Sequence, residues 1–308
     1  MPAPFYSVII PVYNGFKTIA NALDSVKNQT FTDYEIIIVN DGSTDQTKTA
    51  LANYFNKNSN LKYILVDYEF NKGVAHARNR GIKEAHAKYI AFLDADEIWF
   101  KDKLERVFSV IKQHGDQDLI CHNQIVVRDN RKIGTQVTCS KVKNLYERLL
   151  FFGNCIYTSA TVVKRSTIMK EGLFNENISV GEDYDCWLRM ALNSNYYFFF
   201  LKDFLGEYRV IDNSLLGDPE VINKSIRSIV RYHYYHYFKR RTLLSRAFLY
   251  LRETRIIYQA AINSYMRDFY KESILYFSKS LLRNPFLWRG YVYCIVCIFK
   301  IVFSRTKS

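Results

Sequence analysis

Four short apolar runs, residues 5–11, 34–39, 61–66 and 89–93, alternate with segments of helical spacing in the first third of the chain. The runs are dense in Val and Ile and of a length that suits strands buried on both faces. Residues 17–29, 46–55 and 74–87 between them read as helices, the first with Ile19, Leu23 and Val26 on one face. Strand and helix in strict alternation at this spacing predict parallel βαβ units in a doubly wound sheet. No GxGxxG follows the first strand and no GxxxxGK[ST] occurs in the chain, which argues against a dehydrogenase and a P-loop NTPase.

The fourth run ends in three carboxylates within four positions, Asp94, Asp96 and Glu97. Unpaired carboxylates are costly to bury, so they belong where the strand leaves the sheet. Alternate residues of an extended segment point the same way, so Asp94 and Asp96 can together chelate one hard divalent cation. The plainer reading is an acidic helix cap after a core strand. Ligands of open α/β sheets bind beyond the carboxyl ends of the strands, and the other exit loops carry suitable residues. Tyr13 can stack on a flat base or lie on the surface. Asp41 can accept the N–H of a uracil, contact a ribose, or cap the following helix. Arg78 can reach a base or diphosphate, whereas Arg80 suits a solvated charge.

Further on, residues 104–111 are amphipathic. Leu119–Arg128 and residues 134–139 read as two strands with a polar turn, Leu145–Phe152 as a helix, 160–163 as a strand and 170–175 as a turn. Gly181 then marks a break before Glu182 and Asp183 open a helix whose Trp187, Leu188 and Ala191 face a core. Acids at a helix N-terminus are favoured by its dipole. The same junction can also hold a carboxylate rigidly toward a pocket.

Five motifs now stand in order: SVIIPVYN (7–14), IVNDGSTD (38–45), NKG (71–73) with ARNRG (77–81), FLDAD (92–96), and ED (182–183) with WLR (187–189). Together they resemble the family-2 inverting glycosyltransferases of GT-A fold, common in bacterial polysaccharide and lipooligosaccharide synthesis, over about residues 5–215. The resemblance implies a Rossmann-like, mostly parallel sheet flanked by helices in residues 1–220, followed by a helical section in residues 221–308. It also implies a hexosyltransferase with a nucleotide-sugar donor, a UDP-sugar by preference, and a glycan or lipid-linked acceptor. By the same likeness Pro11, Tyr13 and Asp41 belong to the base pocket, with Arg78 as its outer wall. Asn14, Asn71, Gly73 and Ala95 of these motifs fall on the nucleotide-sugar side. Asp94 resembles the acid at the ribose or beside the metal, and Asp96 the ligand of Mg²⁺ or Mn²⁺ on the donor diphosphate. Asp183 resembles the general base, and Glu182 shapes the acceptor site. Many relatives carry a Tyr-Arg-x-His segment whose His helps bind the metal. Here Tyr208, Arg209 and Val210 are followed by Ile211, so Arg209 is expected to clamp the diphosphate without that His.

Charge separates the two sections. Residues 1–223 carry 26 Lys and Arg against 27 Asp and Glu, a net of −1, while residues 224–308 carry 17 against 3, a net of +14. Eleven of the 24 tyrosines also fall in that second part. Residues 260–270 and 271–282 weakly resemble one helix pair of tetratricopeptide type, which alone cannot bury its own face. Residues 291–303 are apolar apart from Lys300, too short to span a bilayer. Flanked by Arg289, Arg305 and Lys307, they suit a helix lying in an anionic membrane interface, the alternative being a helix docked on the catalytic part. The N-terminus has no basic stretch before its apolar run and the run is too short for a signal peptide, so a cytoplasmic protein on the inner face of the membrane is expected. Six scattered cysteines show no disulfide framework, and Cys294 with Cys297 read as buried thiols. Two competing readings are weaker. A sugar-phosphate nucleotidyltransferase needs a Gly-rich basic loop that residues 12–17 lack. A nucleic-acid-binding protein using the basic tail lacks a recognisable module, so no nucleic acid is expected as partner.

Overall fold

A computed structural model of the chain describes residues 3–139, 143–210 and 218–304. Ile211, Arg305 and Lys307 lie outside the described residues. The chain divides into two compact units, residues 1–146 with 154–212, and residues 147–153 with 213–308.

The first unit is built on one nine-stranded sheet. Its opening elements are β1 (Tyr6–Val12), α1 (Ile19–Lys27), β2 (Tyr34–Asp41), α2 (Thr47–Lys57), β3 (Tyr63–Tyr68), α3 (Val74–Glu84) and β4 (Tyr89–Phe92). These follow the sequence pattern closely, except that β3 begins two residues later than its apolar run. β1, with every residue buried, pairs in parallel with both β2 and β4. On one face Val8 and Ile10 pack in a cluster with Ile19, Leu23 and Val26 of α1, which is why that helix repeats its apolar residues at 3 and 4. Against β1, α3 approaches so closely that a Cβ on Gly81 would lie 2.5 Å from Ile9 Cγ2. Because β2, β1 and β4 are adjacent and parallel, the loops after all three open at one edge of the sheet.

Beyond β4 the sheet is mixed. After β5 (Ile98–Trp99) and α4 (Lys103–His114) come β6 (Leu119–Arg128), β7 (Arg131–Gln136), α5 (Leu145–Phe152), β8 (Thr161–Lys164), α6 (Arg165–Lys170), α7 (Glu182–Ala191) and β9 (Phe198–Arg209). The strand order is β3-β2-β1-β4-β8-β6-β9-β5, with β7 on β6. β8 runs antiparallel to β4 and β6, and β5 antiparallel to β9, so the expected parallel arrangement covers β3 to β4 and the β6–β9 pair. β9 has no counterpart in the sequence reading. Its three opening phenylalanines give way to Lys202, Asp203 and Gly206, so its period is broken, yet it holds an interior place beside β6. Cys139 and Cys155 are joined as a disulfide with Cα atoms 5.5 Å apart. Their spacing did not announce this pair, because the fold of the first unit, not the local sequence, brings the segment after β7 against the segment before β8.

The second unit contains α8 (Pro219–His236), α9 (Leu243–Met266), α10 (Tyr270–Arg283) and α11 (Trp288–Ser304). Asp218 caps α8 by accepting from the N–H of Glu220 at 2.7 Å. Ile257, Ala260 and Ala261 of α9 pack on Tyr276 and Phe277 of α10, with Tyr293 and Cys294 of α11 against them. The helix pair expected from residue 260 onward is thus α9–α10, but its first helix starts far earlier, at Leu243, and neighbours on either side cover its face. Buried Glu253 accepts from Arg231 and from Arg283 at 3.0 Å and lies 3.7 Å from Arg227, tying α8, α9 and α10 together. Cys294 and Cys297 are free, Cys297 fully buried.

Candidate active site

Two groups of polar residues gather at the exits of β1, β2 and β4. In the first, Asn14 takes a left-handed backbone at φ 51°, which Asn tolerates better than most residues. Its Oδ1 accepts from the N–H of Thr44 at 2.8 Å, and its own N–H donates to Ser43 Oγ at 2.9 Å. The β1 loop is thereby stitched to the β2 loop. Asp41 is buried, and its two oxygens accept the N–H groups of Lys72 at 3.0 Å and Gly73 at 2.8 Å. Asn71 Oδ1 also accepts from Gly73. Asp41 therefore shapes the turn that starts α3, a use the sequence reading did not separate from direct nucleotide contact. Gly73, at φ 94°, has open space where a Cβ would stand, so its backbone can be approached closely. Tyr13 is exposed beside this loop, while Pro11, expected in the base pocket, is buried within β1 opposite Val39.

The second group is acidic and centres on Arg78, which is buried on α3. One end of its guanidinium, Nη2, donates to Asp94 Oδ1 at 2.7 Å and the other, Nη1, to Glu182 Oε1 at 2.5 Å. Burial opposes its charge, but Asp94 first and Glu182 next hold its pKa above the ordinary value, with Asp183 adding to them. Arg78 was expected on the outer wall of the base pocket. It stands at the centre of the acids, bonded to Asp94 and Glu182, because α3 is pressed onto β1 and faces the helix start at Glu182. Arg80, two residues on, is exposed and pairs with Glu84 on its own helix.

Asp183 follows Glu182 in the first turn of α7, whose cap Gly181 is left-handed at φ 86°. One carboxylate oxygen accepts from Thr158 Oγ at 3.0 Å and the other from the N–H of Tyr184 at 2.6 Å. Burial raises its pKa despite the opposing pull of Arg78 and of these two bonds. Asp96 is partly buried, and its carboxyl is pushed up to about 6, by burial first and by the charge of Asp94 next. Among the described residues no side chain donates a hydrogen bond to it. Burial and Asp94 outweigh the opposing pull of Arg78 on this carboxylate, and a divalent cation would supply the further positive charge that favours its ionised form. Among the described residues no group of three or more His, Cys, Asp and Glu could enclose a metal. The donor set fits a hard cation held by Asp96 beside Asp94 with ligand and water oxygens completing its shell.

Below the acids lies a layer that sequence reasoning missed. Ser159 Oγ accepts the N–H of Asp94 at 2.9 Å, and its carbonyl accepts from both Trp99 Nε1 and Lys103 Nζ at 2.8 Å. Lys103 is fully buried with its Nζ 3.3 Å from the centroid of the Trp99 ring. Burial lowers its pKa well below the ordinary value, against smaller opposing effects of Cys121 and Glu97. Glu97, also buried, accepts from Gln124 Nε2 at 2.9 Å and is raised well above the ordinary value, by burial first and Asp94 next. The one available signal was the spacing of Trp99 and Lys103 shortly after Asp96. Thr158 and Ser159 sit in a 3-10 turn, Thr158–Ala160, with no local mark.

Arg78, Asp94, Glu182 and Asp183 are thus brought together with Asp96. Ala95 is partly buried between Asp94 and Asp96 and packs against the core. Arg209 is not drawn into the cluster. At the end of β9 it pairs with Glu207 at 3.0 Å and lines a cavity of about 550 Å³ with Asn21, Asp24, Asn28 and Trp99. None of the clustered acids lines that cavity, so the expected diphosphate clamp has no support in this geometry.

The family model described as Glycosyl transferase family 2 matches residues 7–167, and that of Glycosyl transferase family group 2 matches residues 89–305. The amylovoran biosynthesis glycosyltransferase AmsB of Erwinia amylovora is 33% identical over 212 residues, 67% of this chain and 70% of that protein. The UDP-Glc:alpha-D-GlcNAc-diphosphoundecaprenol beta-1,3-glucosyltransferase WfgD of Escherichia coli is 32% identical over 189 residues, 61% of this chain and 70% of that protein. Among solved structures, S. aureus TarS 1-349 in complex with UDP superposes with a TM-score of 0.62 at 20% identity, covering 95% of this chain and 88% of that one. At that identity the likeness carries the GT-A type of fold alone.

Proposed function

The chain belongs to glycosyl transferase family 2, and on that premise we propose that it moves a hexose from a UDP-sugar to a hydroxyl of a glycan or lipid-linked acceptor with inversion at the anomeric carbon. That it is a glycosyltransferase using a nucleotide-sugar donor follows from the family. The donor nucleotide, the stereochemistry and the acceptor class are our reading, supported by relatives such as AmsB and WfgD. One observation carries it: Arg78 bonds Asp94, at the exit of β4, and Glu182, the neighbour of Asp183, in one buried bridge. An acid suited to the donor side and an acid suited to proton transfer therefore share a site.

In this reading the donor diphosphate lies at the exits of β1, β2 and β4. Asn14, Asp41 and Asn71 hold the loops that face the nucleotide, with Gly73 leaving the backbone open and Tyr13 available to stack on the base. Asp96 with Asp94 would hold Mg²⁺ or Mn²⁺, which when bound neutralises charge on the leaving diphosphate. Asp183 accepts the proton of the acceptor hydroxyl as that oxygen bonds to the anomeric carbon. The bond from the sugar to the diphosphate breaks, and the nucleoside diphosphate leaves with the electron pair. Two hydrogen bonds orient the Asp183 carboxylate, and its raised pKa makes it a better base than a solvated Asp. Arg78 offsets the charge of Asp94 and Glu182, so Asp183 can ionise among like charges. No covalent nucleophile is required.

The test is a panel of nucleotide sugars with glycan and lipid-diphosphate acceptors, read by nucleoside diphosphate release and by NMR of the product anomer. Inverted product from a UDP-sugar, lost in Asp183→Asn, is expected. Product that retains the donor's anomeric configuration would overturn the single-displacement reading.

A further inference from the structure

Helix α11 presents apolar side chains on two opposite sides. At about 100° per residue, Gly290, Tyr293, Cys294 and Cys297 share the side that meets α10. There Tyr293 stacks on Phe277, a Cβ on Gly290 would touch Leu281, and Cys297 Sγ reaches Ser273 Oγ. The other side carries Trp288, Tyr291, Val292, Ile295, Ile298 and Phe299, each roughly half exposed or more. These six span about a third of the helix circumference along most of its length. Exposed Arg289 and Lys300 border the stripe. The last turn of α10 adds Leu282 and the loop after it Phe286, at 87% and 89% exposure. Isolated apolar residues on a surface need no explanation, but a continuous stripe joined to such a turn marks a contact surface.

The surrounding charge identifies what covers it. Beyond residue 223 the acids are Glu253, Asp268 and Glu272, and Glu253 is taken up by Arg231 and Arg283 with Arg227 close by. Lys239, Arg240 and Arg241 are exposed just before α9, followed by Leu243 and Leu244, which are also exposed. A second copy of this chain would bring the same positive rim to the contact and be repelled. An apolar stripe bordered by cations matches an anionic bilayer surface, where acyl chains take the stripe and headgroups meet the cations. No helix among the described residues is long and apolar enough to cross a membrane. We propose that the outward side of α11, with the turn at Leu282 and Phe286, lies in the headgroup region of an anionic membrane. The inference does not rest on the catalytic reading, and its readout needs no turnover.

The chain contains its own reporter. Trp99 and Trp187 are buried, whereas Trp288 stands on the stripe at 65% exposure. The full chain is mixed with vesicles of phosphatidylcholine alone or with phosphatidylglycerol, at low and high salt, and followed by tryptophan emission and flotation. A blue shift and flotation with the anionic vesicles, weakened by salt, are expected. Ile295→Asp with Phe299→Asp should weaken partitioning about tenfold or more while circular dichroism and thermal unfolding stay unchanged, since both side chains are exposed. Trp288→Phe should remove the blue shift but keep flotation. Three results would overturn the proposal: no flotation by the full chain, a lipid-free dimer dispersed by the Asp pair, or salt-sensitive RNA binding without vesicle binding.

Discussion

Lys103 Nζ donates to the carbonyl oxygen of Ser159 across 2.8 Å, with both residues out of contact with water. Through Ser159 this one bond bears on both halves of the site. Ser159 Oγ holds the backbone of Asp94, and its neighbour Thr158 holds the carboxylate of Asp183. Lys103→Met removes a buried amine that no acid among the described residues pairs with and whose charged form burial already disfavours, while Trp99 Nε1 still donates to the Ser159 carbonyl. The melting temperature should hold or rise. Turnover should fall about 10- to 100-fold with donor KM little changed, since misplacing reacting groups by about 1 Å can cost about 100-fold. Parallel loss of stability and activity would leave Lys103 with a folding role only.

Asp96 supplies a pH test. Its folded pKa of about 6 lies above the ordinary carboxyl value of 3.8, so between those values the folded protein holds a proton that the unfolded chain has released. The site's contribution to stability is complete at low pH and declines as pH rises through about 6. A cation must displace that proton. UDP affinity in the presence of Mn²⁺ should therefore fall by about tenfold for each pH unit below 6 and level off above it. Asp96→Ala should weaken Mn²⁺-dependent UDP binding and abolish turnover. Isothermal titration with and without Mn²⁺ checks both, and a mutant with unchanged metal-dependent affinity would remove Asp96 from the role.

Asp183→Asn keeps the shape of the site but cannot accept a proton. Donor binding should be retained while kcat falls about 100- to 10,000-fold. Thr158→Val removes the Oγ–H that orients the carboxylate and should give a smaller loss in kcat. A variant of Asp183 with near-normal kcat at saturating substrates excludes it as the base.

Arg78→Met leaves buried Glu182 and partly buried Asp94 without their shared cation. Breaking a buried pair by removing one partner costs about 3–5 kcal/mol. The direction with pH follows from the acids left behind. Glu182 and Asp183 are already raised by burial while Arg78 pulls them down, so without it their folded pKa values climb further above the unfolded ones. Stability is then kept at low pH and lost as pH rises through the folded values. Thermal unfolding should show a deficit that widens from mildly acidic to neutral pH, and a pH-independent deficit would count against the charge argument.

The elements that were legible in the sequence are those whose burial is decided by their nearest neighbours in the chain. The apolar runs of β1, β2 and β4 and the 3 and 4 spacing of α1 announce their own periods, and Leu119–Arg128 matches β6 to the residue. Asp94, Asp96 and Asp183 could be singled out because carboxylates at a strand exit or a helix start are conspicuous against apolar flanks. Tertiary structure alone decided the rest. β9 shows no steady period, and it is a strand because β6 supplies its partner 79 residues away across the Asn123 to Lys202 contact. Arg80 suits a solvated charge and stays at the surface, but no local pattern makes Arg78 the central cation; that follows from α3 being pressed onto β1 on one side only. Glu182, to which Arg78 bonds, lies 104 residues further on. Lys103, in the first turn of α4, is buried only because Trp99 and Ser159 close over it. Local patterns record which way a side chain faces. The charge and the cover it meets are contributed by segments far off in the chain, and only packing brings those together.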